Sequence, residues 1–145
     1  MLPGWSYVHN ITDDRVGRVI VAWNVGFCSV IAKYIFKQHV LVEMSMLNGS
    51  KFLLPVVYGS NNYVERRELW CSLMEFQEQI LPWVLAGDFN IIREESHSMG
   101  VLLPPAIAMR EFNECLEGIG VVELSSHGCL FTWSCHTGEG CLRRM

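Results

Sequence analysis

The feature that most constrains the fold is a change, near residue 60, in the spacing of the apolar residues. Up to that point, short segments rich in Val, Ile, Phe and Tyr are separated by turn residues, which predicts β-strands. From about residue 62 to 80 the apolar residues recur every three or four positions, which predicts an amphipathic helix. A short apolar run before Gly87 then predicts another strand. A helix between two strands usually forms the crossover that connects parallel strands. We therefore expect an α/β fold of the α+β type.

The predicted elements fill nearly all of the chain. Strands are predicted over residues 5–9, 18–23, 28–36, 39–47, 51–58 and 83–86. Those before residue 60 are predicted to form an antiparallel meander with a hairpin turn at Asn48-Gly49. Strand 18–23 is apolar on both faces, so we expect it to be covered on both sides, and we expect the run 83–86 to be buried. The remaining predictions are a loop at 93–100, a helix at 106–117 and short strands at 121–124 and 129–135.

Composition narrows the class of protein and its compartment. Half of the residues are hydrophobic, but there is no uncharged apolar run of about eighteen residues, so we expect no membrane-spanning helix. The first residues lack the basic and apolar regions of a signal peptide, which predicts a nuclear or cytoplasmic protein that is not secreted. The net charge of −4 argues weakly against stand-alone binding to nucleic acid, because phosphate neutralisation requires Lys and Arg.

The six cysteines are interpreted as free thiols, because nothing else in the sequence indicates secretion. A zinc site is the alternative, and its candidate ligands are His127, Cys129, Cys135, His136 and Cys141. No Cys-x2-Cys pair occurs among them, and a strand-like spacing would point the side chains in different directions. We therefore favour free thiols.

A candidate site lies where the 83–86 run ends. Gly87 allows the backbone to bend and approach a neighbour closely, Asp88 carries a negative charge, and Asn90 points the same way along an extended chain. Ligands collect at the carboxyl ends of strands in α/β sheets, and a carboxylate and a carboxamide there could hold a metal-bound water and a phosphate oxygen. The alternative is an Asx-type turn, in which Asp88 and Asn90 bond their own backbone.

Four short motifs, taken in order, add a resemblance to a known family. They are Val57-Tyr58-Gly59-Ser60-Asn61, Arg66-Arg67-Glu68-Leu69-Trp70, Gly87-Asp88-Phe89-Asn90 and Phe131-Thr132-Trp133. Together they resemble the endonuclease–exonuclease–phosphatase family, and most closely the apurinic-type endonuclease domain of plant non-LTR (LINE-type) retrotransposons. The resemblance covers nearly the whole chain. It implies a DNase I-like fold, a partial four-layered β-sandwich flanked by helices, with 1–145 as the central portion of an incomplete domain.

The resemblance also implies roles for individual residues in cleaving DNA with Mg²⁺. Asp88 would orient or deprotonate the attacking water, Asn90 would hold that water or a phosphate oxygen, and Tyr58 would contact the phosphate. Asn61 would hydrogen-bond nearby, and Trp133 would line the pocket beside the DNA. Two of these residues have structural alternatives, since Tyr58 could be a rim residue and Asn61 a helix cap.

The helix motif is interpreted differently. Trp70 is expected to be a core residue, whereas Arg66 and Arg67 are expected on a solvated helix face from which they could contact DNA.

The sequence lacks the outer motifs of the family. Neither the Glu-Thr-Lys-like motif with the main metal ligand nor the Leu-Asp-Arg and Ser-Asp-His motifs occur, and no His occupies the catalytic context. We therefore expect a fragment truncated at both ends, with little or no nuclease activity alone. The alternatives are a non-catalytic remnant that only binds, an inert product of a decayed element, and a family phosphatase acting on a non-nucleic phosphoester. The missing strands predict exposed sheet edges and self-association.

Overall fold

The computed structural model describes residues 3–11, 17–76, 80–100, 102–125, 127–128, 131, 133–134 and 142–143. The chain divides into two compact units. The first unit contains Met1–Gly59 and Glu78–Asp88, and the second contains Ser60–Gln77 and Phe89–Met145.

The first unit is built from two β-sheets. The antiparallel pair consists of β1 (Trp5–His9) and β2 (Ile20–Asn24). The four-stranded sheet consists of β3 (Cys28–Ile35), β4 (His39–Met46), β5 (Lys51–Tyr58) and β6 (Ala86–Asp88), in that order across the sheet. Strands β3, β4 and β5 form the antiparallel meander, and β6 then pairs with β5 in parallel. The mixed α/β (α+β) class is confirmed.

The hairpin predicted at Asn48-Gly49 is present between β4 and β5. Gly49 has φ +86°, a left-handed conformation that a Cβ would disfavour. Its N–H donates to the Met46 carbonyl oxygen at 3.0 Å, and the Asn48 side-chain oxygen accepts from the Ser50 N–H at 2.9 Å. The turn is therefore closed by both the backbone and the asparagine side chain.

The core of the first unit lies between the two sheets. Its centre is the buried cluster of Val19, Val21, Val40 and Val42. The cluster is extended by partly buried side chains from both sheets, namely Val8, Val30, Met44, Leu54, Val56 and Tyr58. Alternate residues of β4 and β5 point to this face, as the two-residue period of a strand requires. Residues of the other face, Leu41, Leu53 and Val57, are buried as well.

Two expectations about burial in the first unit are wrong. Strand β2 is covered on one face only, because Val21 is buried whereas Ile20 is 61% exposed. The run 83–86 is not a buried strand, because the strand covers only Ala86–Asp88 and lies at the edge of the sheet. A strand at the edge of a sheet has a neighbouring strand on one side only. Side chains near it are therefore less covered, and Val84 is 40% exposed.

The second unit contains the two helices, α1 (Arg66–Met74) and α2 (Ala106–Gly118). Its described strands are β7 (Ser98–Met99), β8 (Trp133–Ser134) and β9 (Leu142–Arg143), which pair in the order β7-β9-β8. Residues 93–100, predicted as a loop, instead contain a short 3-10 helix, Glu95–His97, and β7. The strand predicted at 121–124 is absent, because those residues have no ladder partner in the described part of the chain.

The helices of the second unit are held by aromatic packing. The Trp70 ring lies over Phe112 with 5.1 Å between ring centroids, and Phe89 packs on Phe112 at 5.2 Å. The interpretation of Trp70 as a core residue is confirmed, since it is only 6% exposed. Neither described helix has the length and apolar composition that crossing a membrane requires.

Asn10 ties together three segments of the first unit. Its side-chain oxygen accepts from the Arg18 and Val19 N–H groups, both at 3.0 Å. Its amide nitrogen donates to the carbonyl oxygens of Phe36 and Lys37 at 3.1 and 2.9 Å. All four hydrogen-bonding positions of the buried carboxamide are used, so both its donors and its acceptor are required.

We expect Asn10→Asp to lower the free energy of unfolding by roughly 2–4 kcal/mol, because the new carboxylate oxygen would face two carbonyl groups that have lost their donor. Urea unfolding at pH 7 measures this change. Asn48→Asp is the matched control: Asn48 uses its acceptor in the turn to Ser50, so its free energy of unfolding should change by less than about 0.5 kcal/mol. Equal losses at the two positions would contradict the assignment.

His39 is a buried titratable group at the start of β4. It is 1% exposed and stacks on Phe36 with 4.5 Å between ring centroids. Neither ring nitrogen has a hydrogen-bond partner among the described residues. Burial lowers the pKa of His39 from 6.5 to about 4, so the folded protein holds the imidazole neutral.

The sign of the pH dependence follows from this lowered pKa. The unfolded chain binds a proton near pH 6.5 and the folded chain only near pH 4, so stability falls as the pH drops through that window. Between pH 7 and 5 the loss from His39 should be roughly 2 kcal/mol. His39→Phe should remove most of that loss, measured by urea unfolding at both pH values. The same substitution at exposed His127 should leave it unchanged. A wild-type slope retained in His39→Phe would contradict the prediction.

Candidate functional site

Gly87 allows β6 to pair with β5. The register of this parallel pair aligns Val56 with Ala86, Val57 with Gly87 and Tyr58 with Asp88. Gly87 has φ +135°, and a Cβ built on it would collide with the Val57 carbonyl oxygen and backbone nitrogen. Only glycine fits this close backbone approach without displacing one of the strands.

Tyr58 and Asp88 are brought together by this pairing. They are register partners at the carboxyl ends of two parallel strands, so their side chains leave the same face of the sheet. The Gly59 N–H donates to the Asp88 carbonyl oxygen at 2.7 Å, and the Tyr58 N–H donates to the Gln38 carbonyl oxygen at 2.8 Å. These bonds fix the backbone on which both side chains stand.

Arg18 adds a cation to this end of the sheet. Its guanidinium carbon lies 5.3 Å from the centroid of the Tyr58 ring, within the range of a cation–π contact. Its backbone N–H is held by the Asn10 side chain at 3.0 Å. We use the name strand-end site for Arg18, Tyr58 and Asp88, all of which belong to the first unit.

Sequence reasoning missed Arg18 and Asn10. The only local signal for Arg18 is a charged residue directly before an apolar strand, which is common in proteins. Its neighbourhood with Tyr58 depends on the packing of one sheet on the other, and a spacing pattern does not contain that information.

Asn90 belongs to the second unit and has a backbone conformation of its own. Its φ is +52°, and it has the only positive φ among the described residues other than glycine. Asparagine tolerates this left-handed region better than most residues. The expectation that Asn90 follows Asp88 along an extended chain is therefore wrong, because β6 ends at Asp88 and the backbone of Asn90 is left-handed.

The other predicted site residues also lie in the second unit. Asn61 is exposed, and the turn before α1 is made by its neighbour Asn62, whose side-chain oxygen accepts from the Val64 N–H at 2.9 Å. Trp133 lies in β8, and the placement of its side chain is outside the described part of the structure. The same is true of Thr132, and of four of the candidate zinc ligands, namely Cys129, Cys135, His136 and Cys141.

The expectation of two solvated arginines on α1 is wrong for Arg66. Its side chain is 3% exposed, and its guanidinium donates to the Ser60 carbonyl oxygen at 2.6 Å. Burial lowers its pKa, and Glu111 partly opposes that effect. Arg67 is exposed as expected, but it forms a bidentate pair with Glu111, with 2.7 Å between Nη2 and Oε1. Both guanidinium groups therefore have hydrogen-bond partners within the protein.

No group of three or more His, Cys, Asp or Glu side chains comes together in the part of the chain that the structure describes. At the strand-end site, Asp88 is the one carboxylate among the three side chains, and Arg18 brings a positive charge.

In comparisons with known proteins, the sequence matches no family model and no curated protein.

Asn90→Gly and Asn90→Ala separate the backbone role of Asn90 from its carboxamide. We expect the Ala variant to be about 1 kcal/mol less stable than the Gly variant, because a Cβ disfavours a φ of +52° whereas glycine adopts it freely. Thermal or urea unfolding of the two variants measures the difference. Equal stability would show that the left-handed conformation is not retained in solution.

Proposed function

We propose that this chain is the central part of a Mg²⁺-dependent phosphodiesterase of the endonuclease–exonuclease–phosphatase type, with a DNase I-like fold and a retrotransposon-type DNA endonuclease as its closest parallel. In this proposal the strand-end site receives a phosphate of DNA, and the chain alone has little or no nuclease activity. The proposal rests on the order of the four sequence motifs together with one geometric observation.

That observation is the register that pairs Tyr58 with Asp88 at adjoining strand ends, together with the Arg18 guanidinium beside Tyr58. Tyr58 and Asp88 are register partners in the parallel pair, and Arg18 lies over the Tyr58 ring. A guanidinium and a phenolic O–H are donors suited to phosphate oxygens, and a carboxylate beside them could orient a water. Rigid strand ends hold such groups with the precision that catalysis and binding both require.

Low activity is proposed because the other essential groups have no counterpart in the sequence. Mg²⁺, when bound in this family, neutralises the scissile phosphate, and its main ligand is a glutamate in a motif that the sequence lacks. The motif with the catalytic histidine is also missing. Since such groups act as a unit and each contributes roughly 100-fold or more, the remaining residues should retain little of the rate enhancement.

A second function, phosphate binding without catalysis, is favoured by Arg18. A guanidinium can bind a phosphate oxygen without any metal, so the strand-end site could hold a DNA phosphate in a non-catalytic remnant. In that case the Asp88 carboxylate opposes binding, because it repels the phosphate.

The first test is nicking of supercoiled plasmid in the presence of Mg²⁺. We expect wild-type protein and Asp88→Ala to nick at the same background rate. Robust nicking by the wild type that Asp88→Ala abolishes would overturn the proposed inactivity and would support a complete catalytic site.

The two functions differ in how Asp88→Asn changes binding of a fluorescent DNA duplex, measured by anisotropy. If Arg18 binds the phosphate without a metal, Asp88→Asn should bind the DNA roughly three- to tenfold more tightly than wild type in EDTA, since a repelling charge is removed. A metal-assisted site predicts weaker binding than wild type when Mg²⁺ is present. Arg18→Gln should weaken DNA binding in both buffers. Arg110→Gln, which changes an exposed arginine of α2, should not. No effect at either Arg18 or Asp88 would refute the strand-end site.

Self-association and a nuclear or cytoplasmic location remain predictions. Several large apolar side chains are exposed on β1, β2 and the edge strand β3: Trp5, Tyr7, Ile20, Ile31, Tyr34 and Ile35. This amount of exposed apolar surface supports the proposed self-association.

A further inference from the structure

Helices α1 and α2 contact each other in a regular register. The Arg67 guanidinium pairs with Glu111 at 2.7 Å. Further along both helices, the Cys115 thiol lies 3.9 Å from the Trp70 carbonyl oxygen. Further still, a Cβ built on Gly118 would lie 3.6 Å from the Met74 side-chain terminus.

This register places two cysteines opposite each other. Residue numbers increase together along the contact, so the two helices run in the same direction there. Cys71 lies one turn after Arg67, and Cys115 lies one turn after Glu111. The Cys115 sulfur also lies 3.9 Å from the carbonyl oxygen of Trp70, the residue next to Cys71, so the two cysteines lie at the same level of the helix contact.

We propose that Cys71 and Cys115 form a thiol–disulfide site that joins α1 covalently to α2 when a small-molecule disulfide is the oxidant. Both residues are free thiols in the structure, with Cys71 exposed and Cys115 buried. Both belong to the second unit, whereas the residues of the strand-end site belong to the first.

The difference in exposure sets the order of the steps. The Cys71 thiolate attacks one sulfur of the small disulfide, which forms a mixed disulfide on Cys71 and releases one small thiolate. The Cys115 thiolate then attacks the Cys71 sulfur, which forms the bond between the helices and releases the second small thiolate. The two cysteine protons end on the two released thiols, so two cysteines are oxidised and one small disulfide is reduced.

The second step should be slow at neutral pH. Burial raises the pKa of the Cys115 thiol to about 11, and the nearby Cys71 thiol adds to that rise. Because the thiolate is the attacking species, the rate of this step should rise roughly tenfold per pH unit from pH 7 to 9. A mixed disulfide on Cys71 should therefore accumulate at pH 7 and resolve at pH 9.

The experiment treats the full chain with oxidised glutathione at pH 7 and pH 9, blocks remaining thiols with N-ethylmaleimide at low pH, and digests without reductant. Cleavage after glutamate gives residues 69–75 and 115–117 as separate peptides that each contain one cysteine. We expect a glutathione adduct on 69–75 at pH 7 and a disulfide between 69–75 and 115–117 at pH 9.

Two variants serve as controls. Cys71→Ser, at an exposed position, should show neither product, and Cys115→Ala should keep the glutathione adduct on Cys71 at both pH values. The proposal is overturned if wild-type protein keeps the adduct at pH 9 with Cys115 still reduced. It is also overturned if peptide 69–75 is joined to a cysteine other than Cys115.

Discussion

The close approach of Gly87 to the Val57 carbonyl group is the contact on which the candidate site depends. With any side chain at position 87, the backbones of β5 and β6 would have to separate. The approach sets the parallel register, and the register sets Asp88 beside Tyr58. The pairing of Tyr58 with Asp88 is thus a consequence of a backbone constraint at the preceding residue pair, and the identity of residue 87 matters as much as that of residue 88.

A network of hydrogen bonds in the first unit supports the strand-end site through Arg18. The Asn10 carboxamide joins the end of β1, the start of β2 and the segment between β3 and β4 through four hydrogen bonds. One of those bonds holds the backbone of Arg18, whose guanidinium lies over Tyr58. The buried Asn10 side chain therefore positions the backbone of Arg18, an exposed cation. Packing in the interior thus contributes to the geometry of the site.

Much of the fold follows from the spacing of the apolar residues, since the Val- and Phe-containing segment that predicts β5 and the three-to-four spacing that predicts α1 both reflect burial. The errors share a physical cause. Hydrophobicity predicts burial for the run 83–86 and for the outer face of β2, but it does not reveal whether a strand is central or at an edge. The charge of Arg66 likewise predicts exposure to solvent, although its guanidinium is buried against a carbonyl group that lies six residues earlier.

The candidate site was predictable in part. Gly87, Asp88 and Tyr58 carry local signals, because each ends or borders a strand-like run. Arg18 and Asn10 carry no specific signal, since their contacts join residues eight to 40 positions apart. Asn90 fits a catalytic motif, but its left-handed backbone conformation alone also favours asparagine at this position.

The pairing of the strand ends can be measured directly by NMR. In a sample labelled with ¹⁵N and ¹³C, the coupling across the hydrogen bond from the Gly59 N–H to the Asp88 carbonyl group reports the contact that holds Asp88 beside Tyr58. The structure predicts a detectable correlation between these two groups and slow exchange of the Gly59 amide proton. Absence of the correlation, together with exchange at the rate of an unprotected amide, would contradict the parallel pairing and the strand-end site built on it.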